Sequence, residues 1–391
     1  MPWWFTVPKV IFGEDALNEL TELKGKKAFI VTDSNINELG FPEKVCDLLV
    51  SEQWEAAIWD GAEPDPRVSV VENAADAMRR FGPDWIMTVG GGSVIDTAKA
   101  AWILYEHPDT DLAAVTPLEP LDLRNRSRLL CIPTTAGTGS EATKAVVIRD
   151  DDTGRKFATN NNELVPDVAI LDPSFVRDLP KDLTAYTGLD SLTHAIEAYI
   201  SNWKNDYSDA CAIQALRIIF EWLPKSVANL DDEQAREKML VAANLAGMAF
   251  SNSQVCLAHS LGHCMGSVLE IHHGMAVGIA LPYTIEYNSL KSPDTTEMYA
   301  ELASFIDIDE KDDRAATLAL SQKIRDLQQE IGAPTSLKEA GVKKKQLEEG
   351  LDKLVEFTMM DSSITMNPRD IGSEGIRRMY HYMYEGKSID F

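Results

Sequence analysis

Long apolar runs are what this 391-residue chain most conspicuously lacks. No run of about 18 apolar residues occurs, the length a helix needs to cross a bilayer, so no membrane partner is expected. The amino-terminal stretch Met1-Pro2-Trp3-Trp4 has neither the charged nor the apolar region of a secretion signal. Positive charge is also scarce: 37 Lys and Arg stand against 62 Asp and Glu, a net charge of -25. A nucleic-acid binder neutralises phosphates with Lys and Arg, so no nucleic-acid partner is expected. The surplus of acid reads as a solvated surface. Cysteines number five (Cys46, Cys131, Cys211, Cys256 and Cys264), with no C-x-x-C pair. That speaks against a disulfide framework and a Cys-rich zinc site, and for a reducing compartment. The cytoplasm is the expected location.

The remaining composition is that of a globular protein, 45% hydrophobic, and the length fits two domains of roughly 100–200 residues. The first half alternates short apolar runs with helical spacing. Strands are expected at 28–31, 56–59, 85–89 and 129–132, with helices at 41–50, from Asp65-Pro66 through Met78, and from Val94 through Ala101. Such alternation predicts a parallel, layered α/β domain. From about residue 180 the β-branched runs disappear. Helical spacing takes over at 188–201, 209–223, 231–251, 255–269, 274–288 and in four later segments. Pro173 and Pro180 punctuate the change. The expected domains are 1–180, α/β, and 181–391, all-helical.

Two polar turns follow strands in the first half. Val89-Gly90-Gly91-Gly92-Ser93 leads into a helix beginning Val94-Ile95-Asp96. Glycines admit a bulky anion close to the backbone, and a helix N-terminus offers unpaired N–H groups and partial positive charge, which suits a phosphate. A tight βα turn that binds nothing has the same sequence. The dinucleotide fingerprint G-x-G-x-x-G is absent, since Ile95 stands where its last glycine belongs, and no Gly-Lys-Ser/Thr follows. The second turn, Pro133-Thr134-Thr135-Ala136-Gly137-Thr138-Gly139-Ser140-Glu141, supplies hydroxyls suited to ribose and phosphate. Asp33 ends the first predicted strand. It reads either as a solvated turn acid or as an acceptor for a ribose 2′-OH.

Five of the seven histidines fall between residues 194 and 273. Asp190 and His194 are four apart, as are His259 and His263, so each pair shares one helix face. His272-His273-Gly274 opens another helical run. A lone histidine is more often a hydrogen-bonded core or surface residue than a ligand, and His107 and His381 are read that way. Five in one helical half, with one acid, point instead to a first-row divalent ion and leave Fe²⁺ and Zn²⁺ both open.

Taken together, Phe12-Gly13, Gly90–Ser93 with Asp96, Ile132–Glu141, Pro166-Asp167, Thr187–Asp190, His194–Glu197, Ala258-His259 with His263, His273-Gly274, Leu281-Pro282 and Asn367-Pro368-Arg369 run in order nearly end to end. In this the chain resembles the iron-containing (group III) alcohol dehydrogenases. The resemblance implies an N-terminal Rossmann-like parallel α/β domain and a C-terminal helical domain, the fold shared with the dehydroquinate synthases, with the site in the cleft between the domains. It places the metal ligands on Asp190, His194, His259 and His273. His263 falls at a non-ligand histidine that moves the proton, and His272 has no assigned role. Cofactor contacts fall on Asp33, Gly91, Gly92, Ser93, Asp96, Thr134, Thr135 and Thr138, with Lys156 on the adenine side. The implied cofactors are Fe²⁺, with Zn²⁺ as the alternative, and NAD in preference to NADP. The implied substrate is a small alcohol or aldehyde, and the implied assembly a homodimer. A zinc-dependent glycerol dehydrogenase-like or 3-dehydroquinate synthase-like enzyme is the rival reading. Those relatives use one acid and two histidines, whereas this chain carries the fuller set. A bifunctional chain with a fused aldehyde dehydrogenase domain is not expected.

Overall fold

Strands whose every residue is apolar need cover on both faces, and the first half of the chain supplies it. The computed structural model describes residues 4–154 and 156–391. Met1, Pro2 and Trp3, part of the amino-terminal stretch read above, lie outside them. The chain divides into two units, Met1–Leu179 and Pro180–Phe391.

In chain order, the first unit holds β1 (Lys9–Phe12), β2 (Lys27–Asp33), α1 (Ser34–Glu38), α2 (Phe41–Ser51), β3 (Glu55–Ala62), α3 (Val68–Phe81), β4 (Trp85–Gly90), α4 (Gly92–Glu106), β5 (Arg128–Pro133), β6 (Ala145–Arg149), β7 (Lys156–Asn160) and β8 (Val168–Leu171). Six strands form one parallel sheet in the order β1-β8-β5-β4-β2-β3. Alternate residues serve opposite faces. Phe29, Val31, Ile86, Leu129 and Cys131 pack with α3 and α4. Ala28, Ile30, Met87, Val89, Leu130 and Ile132 pack with α2 and the turn at Ala16–Glu22. Every residue of β4 is therefore buried, which is why the inner strands read as unbroken apolar runs.

From β2 the chain crosses to β3 on one side, then returns to β4 on the other and proceeds outward. The order thus reverses between β2 and β4. In open parallel sheets, ligands bind outside the carboxyl ends of the strands at such a switch point. Asp33 ends β2 and the glycine turn ends β4, so the topology places both there.

The antiparallel hairpin β6–β7 pairs Ala145 with Asn160 through Arg149 with Lys156. It was not anticipated, and neither was β8. Each has only four or five residues. The hairpin is anchored by Lys99, fully buried on α4. Its Nζ donates to Ser140 O at 2.8 Å, Thr143 O at 2.6 Å, Thr143 Oγ1 at 3.0 Å and Ala145 O at 3.2 Å. Burial pushes the ammonium pKa down, against the pull of Asp96, Cys131 and Glu141. One cation thus ties the segment that follows the threonine turn to the helix that follows the glycine turn.

The second unit is helical throughout its described secondary structure: α5 (Lys181–Ile200), α6 (Asp206–Ala228), α7 (Glu233–Ser253), α8 (Leu257–Leu269), α9 (His273–Ser289), α10 (Pro293–Ser304), α11 (Asp313–Glu330), α12 (Lys344–Met360) and α13 (Ser373–Glu385), with a 3-10 turn at Ser362–Met366. Helix α5 is buried on all sides from Thr187 onward, and α9 from Ala276 onward. They are the inner helices of the unit, and α5 packs against α6, α7 and α9. Several helix boundaries in this unit differ from expectation, the start of α5 and the end of α6 the most. The α5 segment begins seven residues earlier than 188, directly after Pro180. Helix α6 continues through Pro224 instead of stopping at 223. Proline costs a helical hydrogen bond, but Leu223, Ser226 and Val227 on either side of it are buried, and their packing carries the helix past it. No single described helix is long and apolar enough to cross a membrane; α7 and α8 meet the length and composition test only together, and they are bent 107° apart.

Replacing Lys99 by Met keeps the stem and removes the charge, leaving buried carbonyls without a donor. The expected loss is about 3–5 kcal/mol, read as a lower urea midpoint. A loss below about 1 kcal/mol would mean that Lys99 anchors nothing.

Candidate metal centre and nucleotide cradle

Three acidic or histidine positions on α5 follow helical spacing: Asp190, His194 and Glu197, all buried. Asp190 Oδ1 lies 3.4 Å from His273 Nε2, 3.6 Å from His259 Nε2 and 3.8 Å from His194 Nε2. Donors about 2.1 Å from one ion in tetrahedral array stand about 3.4 Å apart. Donor atoms of Asp190, His259 and His273 all fall within 4.8 Å of one another. His194 borders that group, its ring stacked on His259 at 4.5 Å and on Phe250 at 4.1 Å. Asp190 Oδ1 and His259 Nε2 are buried and make no hydrogen bond among the described residues. Such a pair is costly unless another group takes both lone pairs.

The electrostatics agree. Burial alone would push the Asp190 carboxyl up, yet the imidazoles, His194 and His273 foremost, hold it well below the usual carboxylate range. Burial would depress His259, yet Asp190 and Glu197 hold it up at about 9. Two buried carboxylates among imidazoles make a place for positive charge, and these N and O donors suit a divalent first-row ion.

Close helix contact makes this convergence geometrically available. A Cβ on Gly274 would stand 2.2 Å from Tyr186 O, so only glycine lets the first turn of α9 lie on α5. A Cβ on Gly262 would stand 2.3 Å from Val277 Cγ1, and one on Gly278 3.0 Å from Leu189 Cβ. These contacts bring His273 to Asp190. His272, one residue earlier, is the N-cap of α9, with its ring 5.5 Å from that of Tyr186.

Glu197 is the residue that sequence reasoning passed over. Its Oε2 takes His259 Nδ1 at 2.6 Å and Cys256 N at 2.9 Å, and its Oε1 takes Ala258 N at 2.6 Å. One carboxylate therefore receives the first amides of α8 and fixes the ring of its histidine. A partner of this kind orients a ligating imidazole and raises its basicity. Gln254 just upstream has φ 77° and ψ 163°, a conformation that is costly for any residue but glycine. The Glu197 contacts hold the chain through that turn. Asp361 was missed as well. Its Oδ2 takes His263 Nδ1 at 2.9 Å, and the His263 ring lies parallel to His273 at 5.3 Å.

In the first unit, Gly91 caps α4 and offers no side chain to its first turn. A Cβ on Gly92 would stand 2.9 Å from Thr138 Cγ2, and one on Gly91 3.2 Å from Thr135 Cγ2. The glycine and threonine turns therefore face each other at van der Waals distance. Thr134 is buried, and its Oγ1 has no hydrogen bond among the described residues. Ser93 is half-buried at the start of α4. Asp33 caps α1, its Oδ1 accepting from Asn35 N at 2.9 Å and Ile36 N at 3.0 Å. Asp96 accepts from Val147 N at 3.0 Å, and burial pushes its pKa up to about 6 against the pull of Lys99. Lys156 pairs with Asp65 at 2.6 Å, three residues past β3. The two turns and Asp33 thus gather at the carboxyl edge of the sheet. Asp96 and Lys156 carry bonds of their own to β6 and to Asp65. The first-turn amides of α4, which no side chain caps, and the orphaned threonine hydroxyl fit a phosphate-bearing nucleotide.

Two family models divide the chain: "Iron-containing alcohol dehydrogenase" matches residues 8–173, and "Fe-containing alcohol dehydrogenase family, C-terminal" matches residues 184–384. The NADPH-dependent butanol dehydrogenase of Clostridium saccharobutylicum is 38% identical over 99% of this chain and 99% of its own length. The bifunctional aldehyde-alcohol dehydrogenase AdhE of Escherichia coli is 35% identical over 94% of this chain, which spans 44% of that protein. A crystal structure of a 1,3-propanediol oxidoreductase superposes with a TM-score of 0.91 at 33% identity, covering 98% of this chain and 100% of its own.

Gly274→Ala is expected to lift α9 off α5 and to leave purified protein with substoichiometric metal. Native metal content in that variant, by mass spectrometry, would show that the close approach is not what assembles the cluster.

Proposed function

The chain belongs to the iron-containing alcohol dehydrogenase family, and from that premise we propose that it interconverts a small alcohol and its aldehyde with NAD, on Fe²⁺ held by Asp190, His194, His259 and His273. Alcohol–aldehyde oxidoreduction linked to a nicotinamide cofactor comes with the family, and the glycerol dehydrogenase-like and dehydroquinate synthase-like alternatives are not favoured. The residue roles, the metal's identity and the choice of NAD are the proposal. The observation that carries it is the buried, hydrogen-bond-free Asp190 Oδ1 facing three imidazole nitrogens.

When bound, the metal supplies Lewis acidity toward the substrate oxygen, and the nicotinamide accepts or returns the hydride. The chain's own residues do the rest. Glu197 keeps His259 Nε2 turned to the donor cluster. Gly91, Gly92 and Ser93 would hold the pyrophosphate at the first amides of α4. Thr134, Thr135 and Thr138 bind ribose and phosphate oxygens opposite. Asp33 accepts from the ribose hydroxyls and repels a 2′-phosphate, which sets NAD above NADP. Asp96 supports this turn through Val147, and Lys156 flanks the adenine side. His263 moves the substrate proton. Zn²⁺ is the alternative occupant of the same donors. The substrate class rests on the butanol and 1,3-propanediol named for the relatives. A homodimer in the cytoplasm completes the reading.

Asp190→Ala should lose both metal and alcohol-dependent NADH formation, and the native protein should turn over NAD faster than NADP. His263→Ala should keep its metal and lose about 10²-fold in kcat. Full metal in the Asp190 variant, or native kcat in the His263 variant, would remove the corresponding assignment.

A further inference from the structure

Two carboxylate–imidazole pairs meet on α8. Glu197 takes His259 Nδ1, and one turn later Asp361 takes His263 Nδ1 at 2.9 Å. The first ring belongs to the donor cluster. The second borders it, parallel to His273 at 11° and 66° from the plane of His259 with centroids 5.9 Å apart.

Asp361 lies between α12 and the turn at Ser362–Met366, and its carboxylate is held at three points. Oδ1 accepts from Ser363 N at 2.9 Å and from Ser260 Oγ at 3.2 Å. That leaves Oδ2 for His263. Ser260 sits on α8 beside His259, so the carboxylate is braced from the helix that bears the ring it holds. Burial would push the Asp361 carboxyl up, but the facing His263 ring and the hydrogen bonds to His263 and Ser363 hold it well below the usual range. An ionised carboxylate only accepts hydrogen bonds. Nδ1 must therefore carry the proton, and in the neutral ring Nε2 carries the lone pair.

We propose that Asp361 is a positioning residue for proton transfer: it locks His263 in the Nδ1–H tautomer and in register with His273, so that Nε2 is the atom that exchanges the substrate proton. In alcohol oxidation a bound nicotinamide would accept the carbon-bound hydrogen with its electron pair. The hydroxyl proton passes to Nε2 and then to water, and the carbonyl forms. Aldehyde reduction runs the same transfers in reverse. The inference rests on the reading of His263 given above and adds the group that makes that ring competent. A purely structural Asp361 would only cap the turn after α12.

Four proteins separate these roles: native, Asp361→Asn, His263→Ala and the double variant. Asn can still accept from Ser363, so the cap survives. The expected result for Asp361→Asn is a kcat at least about tenfold lower, with metal content, cofactor KM and unfolding midpoint as in the native protein. In the His263→Ala background the same change should cost nothing further. A readout independent of turnover is carbethoxylation of His263 by diethyl pyrocarbonate, followed by peptide mass spectrometry. It should slow in Asp361→Asn, because an amide N–H facing Nδ1 shifts the ring proton to Nε2. An equal kcat loss in both backgrounds, or loss of metal, would assign Asp361 a structural role and overturn the proposal. A slow His263→Ala with a native-like Asp361→Asn would overturn it while leaving the reading of His263 intact. A native-like His263→Ala would remove that reading and the proposal together. If Asn disturbs the cap, Asp361→Ser, whose hydroxyl also accepts from Ser363, is put through the same cycle.

Discussion

A single buried helix carries two carboxylates that cannot be left as they are. Asp190 and Glu197 lie on one side of α5 inside the helical unit, where an uncompensated charge costs several kcal/mol. Glu197 is satisfied by the chain itself: two amides at the start of α8 and the Nδ1 of His259. Asp190 Oδ1 makes no hydrogen bond among the described residues and faces three imidazole nitrogens at 3.4, 3.6 and 3.8 Å, a spacing suited to sharing a cation. The helix contacts of the site follow from this arrangement. Gly274 lets α9 touch α5, Gly262 lets α8 touch α9, and the strained turn at Gln254 aims α8 so that His259 reaches both acids.

The α/β half has the opposite character. Its cradle is built from small residues and backbone, with the glycine turn pressed against the threonine turn. The charge that stabilises it, Lys99, is buried about two turns along α4 and faces carbonyls. A positively charged brace beneath the cradle leaves the rim to neutral hydroxyls and amides, with Asp33 as an acid at the end of the neighbouring strand. The helical unit offers buried charge and the α/β unit offers shape and backbone dipoles, in keeping with the proposed cation in one and nucleotide in the other.

Local chemistry was legible in the sequence, and partnership across the chain was not. The pairs Asp190/His194 and His259/His263 announce themselves at helical spacing, and the glycine and threonine turns are continuous motifs. Glu197 stands in a quoted motif, but its partner is 62 residues away, and nothing in either stretch names the other. Asp361 is 98 residues from His263, in a segment with no metal-like pattern. Gly262 and Gly278 did leave a signal, since glycine inside an apolar helix usually marks a close approach. The His-Gly that opens the helix favours His273 over His272 in the sequence; in the structure the residue that caps α9 lies beside Tyr186, and the next one lies 3.4 Å from Asp190 Oδ1. The hairpin β6–β7 escaped notice because its strands are short and its anchor lies on another element.

The central claim is that the buried donor cluster exists to hold a divalent metal on which turnover depends. Metal analysis by mass spectrometry on anaerobically purified protein, with alcohol-dependent NADH formation followed through chelation and add-back, tests it most directly. The account predicts a stoichiometric divalent metal, activity lost on chelation, and activity restored by Fe²⁺. Protein that is free of metal and fully active in chelator would contradict it.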